Sequence, residues 1–371
     1  MELALYHPEH GYYLGSTVRS AREGDFLTAA ELHPIFGRVV GRQIAQMWEI
    51  LGRPEGFTVR DYGAGPGTLG LAILQGLQAD ASALVDALVY QPIELNAGHR
   101  RALADRFANA GFTDRLAWGA GRPDVPGRAE ARAQAPPGGA RMVGVVVAGE
   151  FVDALPVHRV EGGAGGRLRE LFVTWRDGWF AEEAGAPSTP ELAAYFERLG
   201  IVLAAGQRAE VNLAMAGWLD DVAGDLERGY VLVMDYGRPA GQLFAAARRG
   251  GTLRAYHAHA AHDAPFRHVG RQDLTAHVDF TTLQEWATER GLISIASTTQ
   301  ARFLVAGGLE QLLAGERERP ELESEAYLLL RASIVRLLDP RALGAFGVVL
   351  LGRGVPIDRL PSGFRPAAGP S

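Results

Sequence analysis

Residues 60–69, RDYGAGPGTL, place Gly63, Gly65 and Gly67 at alternate positions between two apolar segments. FTVRDYG before the turn has the pattern of a strand, and TLGLAILQGLQ after it that of a helix. A strand that passes directly into a helix through so bare a backbone limits the choice of folds. Glycine accepts the left-handed conformations of such a turn and lets the main chain approach a ligand closely. In an open parallel sheet, ligands bind beyond the carboxyl ends of the strands, and a helix N-terminus there offers free amides to an anion.

The strand-then-helix rhythm continues along the chain. ALVYQPIE (87–94) is a second strand and AGHRRALADRFANAG its helix; DRLAWGAG (114–121) is a third strand. RMVGVVVAGE (141–150) and YVLVMDYG (230–237) are continuous apolar runs, as expected of strands buried on both faces. LISIASTTQ and FGVVLLGRG supply two late strands. The pattern predicts an α/β fold: a Rossmann-like, seven-stranded, mostly parallel sheet with helices on both faces. In DFTTLQEWATERG, Thr282 and Glu285 have capping-box spacing.

Three segments break the rhythm. Residues 1–53 form an N-terminal platform ending in the amphipathic helix IFGRVVGRQIAQMWEILG. Within the main domain, 54–371, an insertion at about 157–229 carries a hairpin (LRELFVTW, turn RDG, WFAEE) and two helices. A Gly-, Ala- and His-rich stretch at about 238–278 reads as an irregular lid.

Two absences narrow the chemistry. The chain has no cysteine, which excludes thiolate nucleophiles, disulfides, Cys-ligated zinc and iron–sulfur clusters. It has no lysine either, so all 37 basic residues are arginine. That excludes a Schiff-base lysine and the lysine of a nucleotide-binding P-loop. A net charge of −6 gives no basic footprint for nucleic acid. The longest apolar runs fall short of the roughly 20 residues that span a bilayer. MELALYHPEH lacks the pattern of a secretory signal, so a cytoplasmic location without membrane insertion is expected.

The anion at the glycine turn is a pyrophosphate or a carboxylate. The dinucleotide fingerprint requires Gly-x-Gly-x-x-Gly, but here the third glycine comes one position early and Thr68 holds its place. Gly-x-Gly-x-Gly after Asp61 instead resembles the pattern of S-adenosylmethionine-dependent methyltransferases. Glu94 ends the second strand, 94 − 67 = 27 residues beyond the last glycine, and a carboxylate there can accept both hydroxyls of an adenosine ribose. The candidate cofactor residues are therefore Asp61, Gly63, Ala64, Gly65, Pro66, Gly67, Thr68 and Glu94. The alternatives are a ligand-free turn and a solvated strand end.

The rest of the chain resembles the MidA family. The matching stretches are LALYHPEHGYY (3–13), GDFLTAAELHPIFG (24–37), DYGAGPGTL (61–69), GEFVDALPVHR (149–159), VMDYG (233–237), GTLRAY (251–256) and DLTAHVDF (273–280). Mitochondrial members of that family are protein arginine methyltransferases involved in respiratory complex I assembly. The resemblance thus implies S-adenosylmethionine as cofactor and a protein arginine as methyl acceptor. A small-molecule O- or N-acceptor, or a cofactor-binding assembly factor with little turnover, remain alternatives on the same scaffold.

The resemblance also implies roles for particular residues. Glu150 orients the acceptor, and Asp153 supports it or accepts a proton; helix capping and turn bracing are the structural alternatives. Gly24, Asp25 and Phe26 close over the cofactor or form a packed turn, and His277 shapes the acceptor pocket, shuttles a proton or is a satisfied core histidine. Asp235, Tyr236 and Gly237 end a strand at the ligand edge. His257 and His259 are closely spaced but fall short of a zinc set, and no metal is expected.

The chain also departs from the family. Gly149 stands where Asn is common, and Thr28, Ala29, Ala30 and Glu31 replace a Thr-Ser-Pro-Glu type string, so the acceptor side is expected to differ. Family members usually open with a further helix, which leaves the completeness of the N-terminus open. The sequence does not address the oligomeric state.

Overall fold

The computed structural model describes residues 1–15, 28–118, 141–258, 260–317 and 324–365. Its centre is a six-stranded sheet of β1 (Phe57–Tyr62), β2 (Leu88–Ile93), β3 (Met142–Gly149), β4 (Leu226–Asp235), β5 (Ile293–Thr299) and β6 (Gly347–Arg353), in the order β5-β6-β4-β3-β1-β2. β1 pairs in parallel with β2 and β3, and β3 with β4, whereas β6 runs antiparallel to both of its neighbours. The sheet is therefore mostly parallel, and six of its expected seven strands are seen among the described residues. Where the extra strand was expected, Thr113–Arg115 form a 3₁₀ turn and Leu116 makes an isolated parallel bridge to Tyr90; residues 119–121 lie outside the described residues.

Burial on both faces follows from the strand sequences. In β3, Val145 and Val147 belong to one core while Val146 and Ala148 belong to the other, the period-2 alternation of a strand sandwiched between layers. The first core packs against α2 (Ile35–Ile50) and α3 (Thr68–Ala79); α1 (Glu2–Tyr6) lies apart from it. The second core packs against helices Ala214–Asp225 and Phe280–Glu289, through Trp218 and Leu283. The cap of the latter helix is not the expected Thr282–Glu285 box. Asp279 caps it instead, accepting from the amides of Thr281 and Thr282, and the Thr282 hydroxyl donates to the same carboxylate at 2.7 Å.

The hairpin of the inserted segment forms as Leu168–Arg176 and Trp179–Gly185, within a four-stranded antiparallel sheet. Residues 238–278 are more ordered than their composition suggests. Arg254–His257, Ala260–His262 and Asp273–Thr275 form a three-stranded antiparallel sheet. Strands of three or four residues are too short to show a hydrophobic period, so the sequence gives them no signal. Leu5 packs against Ala255 and Leu274, docking the N-terminal segment on this small sheet.

β1 leads to β2 on one side, and β3 then returns to the other side of β1, so the sheet has a topological switch point between β1 and β3. Crevices at the carboxyl ends of strands open at such points.

Candidate active site

A cavity of about 220 Å³ occupies that crevice. One wall is the glycine turn: Asp61, Gly63, Ala64, Gly65, Pro66 and Thr68 all line it. The turn is built by the expected backbone. Gly63, Gly65 and Gly67 have φ of +70°, +54° and +80°, and Gly67 is the left-handed residue from which α3 starts. The amides of Gly63 and Ala64 are spent on the Ile93 carbonyl, which ties the turn to the end of β2. The amides of the first turn of α3 have no acceptor within the helix and carry the positive end of its dipole. A β-carbon on Gly65 would find no atom closer than 4.0 Å, but it would stand on a conformation that side-chain-bearing residues rarely adopt, in the lining of the cavity.

Asp61 is buried, and the Tyr90 hydroxyl donates to its Oδ2 at 2.6 Å. Burial pushes its carboxyl up to about 7, against the opposing pull of the Tyr90 hydroxyl. Glu94 holds the turn from β2: its Oε2 accepts from the Gly65 amide at 2.8 Å and its Oε1 from the Asn96 amide at 2.7 Å. Glu94 and Gly67 support the cavity wall without lining it. Asn96 caps α4 (Ala97–Asn109), accepting from Gly98 and His99.

The other wall is carboxylate-rich. Glu150, the residue after β3, has φ +50°, a conformation strained for a side-chain-bearing residue and often found at functional sites. Its amide donates to the Met234 carbonyl at 2.9 Å, and its Oε1 accepts from the Ala29 amide at 2.8 Å. Its Oε2 is buried with no hydrogen-bond partner. Burial, aided by nearby carboxylates, raises the Glu150 carboxyl to about 8. Asp153 is 3 % exposed, and burial pushes its carboxyl well above the ordinary range, with Asp235, Asp273 and Glu150 adding to the effect. Asp273 completes this wall, 7 % exposed and within the cavity lining. Among the described residues, no arginine lines the cavity.

Asp235 has a different role. Its Oδ2 accepts from the amides of Phe151, Val152 and Asp153 at 3.2, 2.8 and 3.3 Å, and its Oδ1 accepts from the Tyr236 amide at 2.8 Å. It shapes the turn that carries Glu150 and Asp153. Burial still raises its carboxyl to about 7, although these amides pull it down.

The structure does not bring His277 to the cavity lining. Its ring stacks near Tyr236 with centroids 6.1 Å apart, and its Nδ1 is buried without a partner. Burial, reinforced by Arg248, Arg238 and Arg254, depresses it to about 4, which favours the neutral ring. His257 Nδ1 lies 3.0 Å from the Arg271 carbonyl, and no metal-binding cluster occurs among the described residues. Gly24, Asp25, Phe26 and His259 lie outside the described residues.

Several lining residues were not identified from sequence. Tyr12, Tyr13, Asn96, His99, Asp273 and Gln300 come from segments far apart in the chain. The Nε2 of His99 and the Oε1 of Gln300 are, like the Oε2 of Glu150, buried and unpartnered. All three residues line the cavity, and a buried polar atom left unpaired is costly unless a rearrangement or a polar ligand engages it. The site therefore fits a ligand with a polar nucleoside or amino-acid end.

A switch-point crevice with a Gly-x-Gly-x-Gly turn and an acidic opposite wall defines a nucleoside-cofactor transferase of the open α/β type. The chain belongs to the family of putative S-adenosyl-L-methionine-dependent methyltransferases, whose model matches residues 39–298. It is 29% identical over 378 aligned residues to the Drosophila melanogaster mitochondrial protein arginine methyltransferase NDUFAF7 homolog, covering 93% of this chain and 78% of that protein. It is 24% identical to the human mitochondrial protein arginine methyltransferase NDUFAF7, covering 93% of this chain and 76% of that protein. A likely methyl transferase from Burkholderia thailandensis, crystallised with S-adenosyl-homocysteine, superposes with a TM-score of 0.83 at 29% identity, covering 98% of this chain and 88% of that one. The chain is an S-adenosylmethionine-dependent methyltransferase. No helix among the described residues is long and apolar enough to cross a membrane.

Proposed function

We propose that this enzyme methylates an arginine side chain of a protein partner. The observation that carries this reading is the Glu150 carboxyl, held at φ +50° with one buried oxygen unpartnered, close to Asp153 on the wall of the cavity. Carboxyl groups crowded in this way are costly to ionise alone, and a guanidinium relieves the cost by pairing with them. The relatives named as protein arginine methyltransferases support the same acceptor.

The cofactor supplies an electrophilic methyl carbon on a sulfonium sulfur. The chain's residues then have three tasks. The turn at Gly63–Gly67, with Glu94 behind it, holds the cofactor. Glu150 takes one edge of the guanidinium bidentately, which orients the remaining nitrogen and draws positive charge away from it. As the new nitrogen–carbon bond forms and the carbon–sulfur bond breaks, the attacking nitrogen sheds one proton, which Asp153 accepts. A carboxyl raised by burial is better matched to that transfer near neutrality than an exposed one.

The test is to incubate the enzyme with methyl-labelled cofactor and lysate of its source, then map the label. Label on arginine nitrogens in a protein band is the expected result. Label confined to a small organic extract would support a small-molecule acceptor and overturn this reading.

A further inference from the structure

His99, the third residue of α4, lines the cavity, and its side chain is 19 % exposed. Its amide donates to Asn96 Oδ1 at 3.1 Å, and its Nδ1 lies 3.8 Å from Glu94 Oε1. The other ring nitrogen, Nε2, is buried without a hydrogen-bond partner. α4 is packed directly against the glycine turn. Arg106 Nη1 donates to Thr68 Oγ1 at 3.0 Å, and a β-carbon on Gly67 would come within 2.6 Å of Leu103 Cγ.

The end of β2 is where an open α/β site places a carboxylate for the ribose of its nucleoside. Glu94 stands there, yet it supports the cavity wall without lining it, and each of its oxygens already accepts a main-chain amide. Asn96 does line the cavity, but its side chain is committed to the Tyr13 carbonyl and to the amides of Gly98 and His99. His99 is the lining residue beside Glu94 that still has a polar atom to offer. A carboxylate beside one imidazole nitrogen favours the tautomer with its proton there, which leaves the other nitrogen as an acceptor. A sugar hydroxyl is a donor that suits it.

We infer that His99 recognises the ribose of the methyl donor, its Nε2 accepting from one of the two sugar hydroxyls while Glu94, beside Nδ1, sets the tautomer. This inference rests on the place of the donor at the glycine turn and not on the identity of the acceptor.

The experiment titrates the full chain calorimetrically with S-adenosylhomocysteine and with its 2′-deoxy and 3′-deoxy analogues. The wild type should bind at least one analogue roughly three- to tenfold more weakly than the parent compound, the scale of one hydrogen bond. His99→Phe keeps a ring and removes both nitrogens. It should bind the parent compound more weakly by a similar factor and lose the discrimination against one analogue. His99→Gln can still offer an oxygen near the place of Nε2 and should keep part of that discrimination, whereas a packing role would be met better by phenylalanine. Should His99→Phe fail to fold, His99→Ala is measured in its place. A wild type that distinguishes neither analogue, a His99→Phe that keeps the full discrimination, or a His99→Gln no better than His99→Phe overturns the role of His99 alone. S-adenosylhomocysteine affinity unmoved by Gly65→Val overturns the place of the donor at the turn, and this inference with it.

Discussion

The two walls of the cavity are built on opposite principles. The wall proposed to hold the cofactor is one short stretch of chain, Asp61 and Gly63–Pro66 with Thr68, in which the amides of Gly63, Ala64 and Gly65 are anchored on Ile93 and Glu94. The wall proposed to hold the acceptor is made of side chains, Tyr13, Glu150, Asp153 and Asp273 among them, scattered from the N-terminal segment to a strand following the inserted lobe. A backbone wall tolerates few substitutions because its shape depends on left-handed glycines. A side-chain wall can change its chemistry one residue at a time while the fold is kept. Under the proposed function, the first wall binds the methyl donor and the second the acceptor.

The largest effect should come from the cofactor wall. Gly65→Val places a branched side chain at φ +54° in the cavity lining, and should weaken S-adenosylhomocysteine binding roughly hundredfold or more by calorimetry. Glu150→Gln should come next, lowering kcat for methyl transfer by about 10²-fold, the usual scale for losing one preorganised electrostatic partner, in a turnover assay with labelled cofactor.

A smaller effect concerns pH. The Glu150 carboxyl rises from 4.5 to about 8 on folding, so its contribution to stability is fully present below pH 4.5 and is lost as pH rises through about 8. The melting temperature of the ligand-free wild type, relative to Glu150→Gln, should therefore fall between pH 5 and pH 8.5; a flat difference would show that this carboxyl is not shifted. The smallest effect should be that of Tyr90→Phe, which removes the 2.6 Å bond to Asp61 and should cost ~1 kcal/mol in denaturant unfolding.

How much of this was legible in the sequence follows the same division. The glycine turn, the strand after it and the apolar core strands could be read because each is contiguous and carries a period or a spacing. Glu150 and Asp153 were within reach because they follow β3 directly. Asp273 was not, since it lies on a three-residue strand with no periodic signal, and its partner Tyr13 is 260 residues away. Glu94 was read as the end of β2 and directly follows it, but its two bonds to main-chain amides are a tertiary feature that spacing does not encode. His277 stood out by its place in a distinctive string; its ring stacks near Tyr236, and it is not among the residues that line the cavity. The Thr282–Glu285 spacing was a false capping signal, because Asp279 already supplied a better acceptor one residue ahead of the helix.

The division of labour between the two walls is tested most directly by equilibrium binding of S-adenosylhomocysteine to Glu150→Gln. The account predicts an affinity within about threefold of the wild type, since Glu150 lies on the acceptor wall and the donor is held by the glycine turn. An affinity lost to the extent expected for Gly65→Val would show that the carboxylate wall holds the cofactor, and would contradict the account.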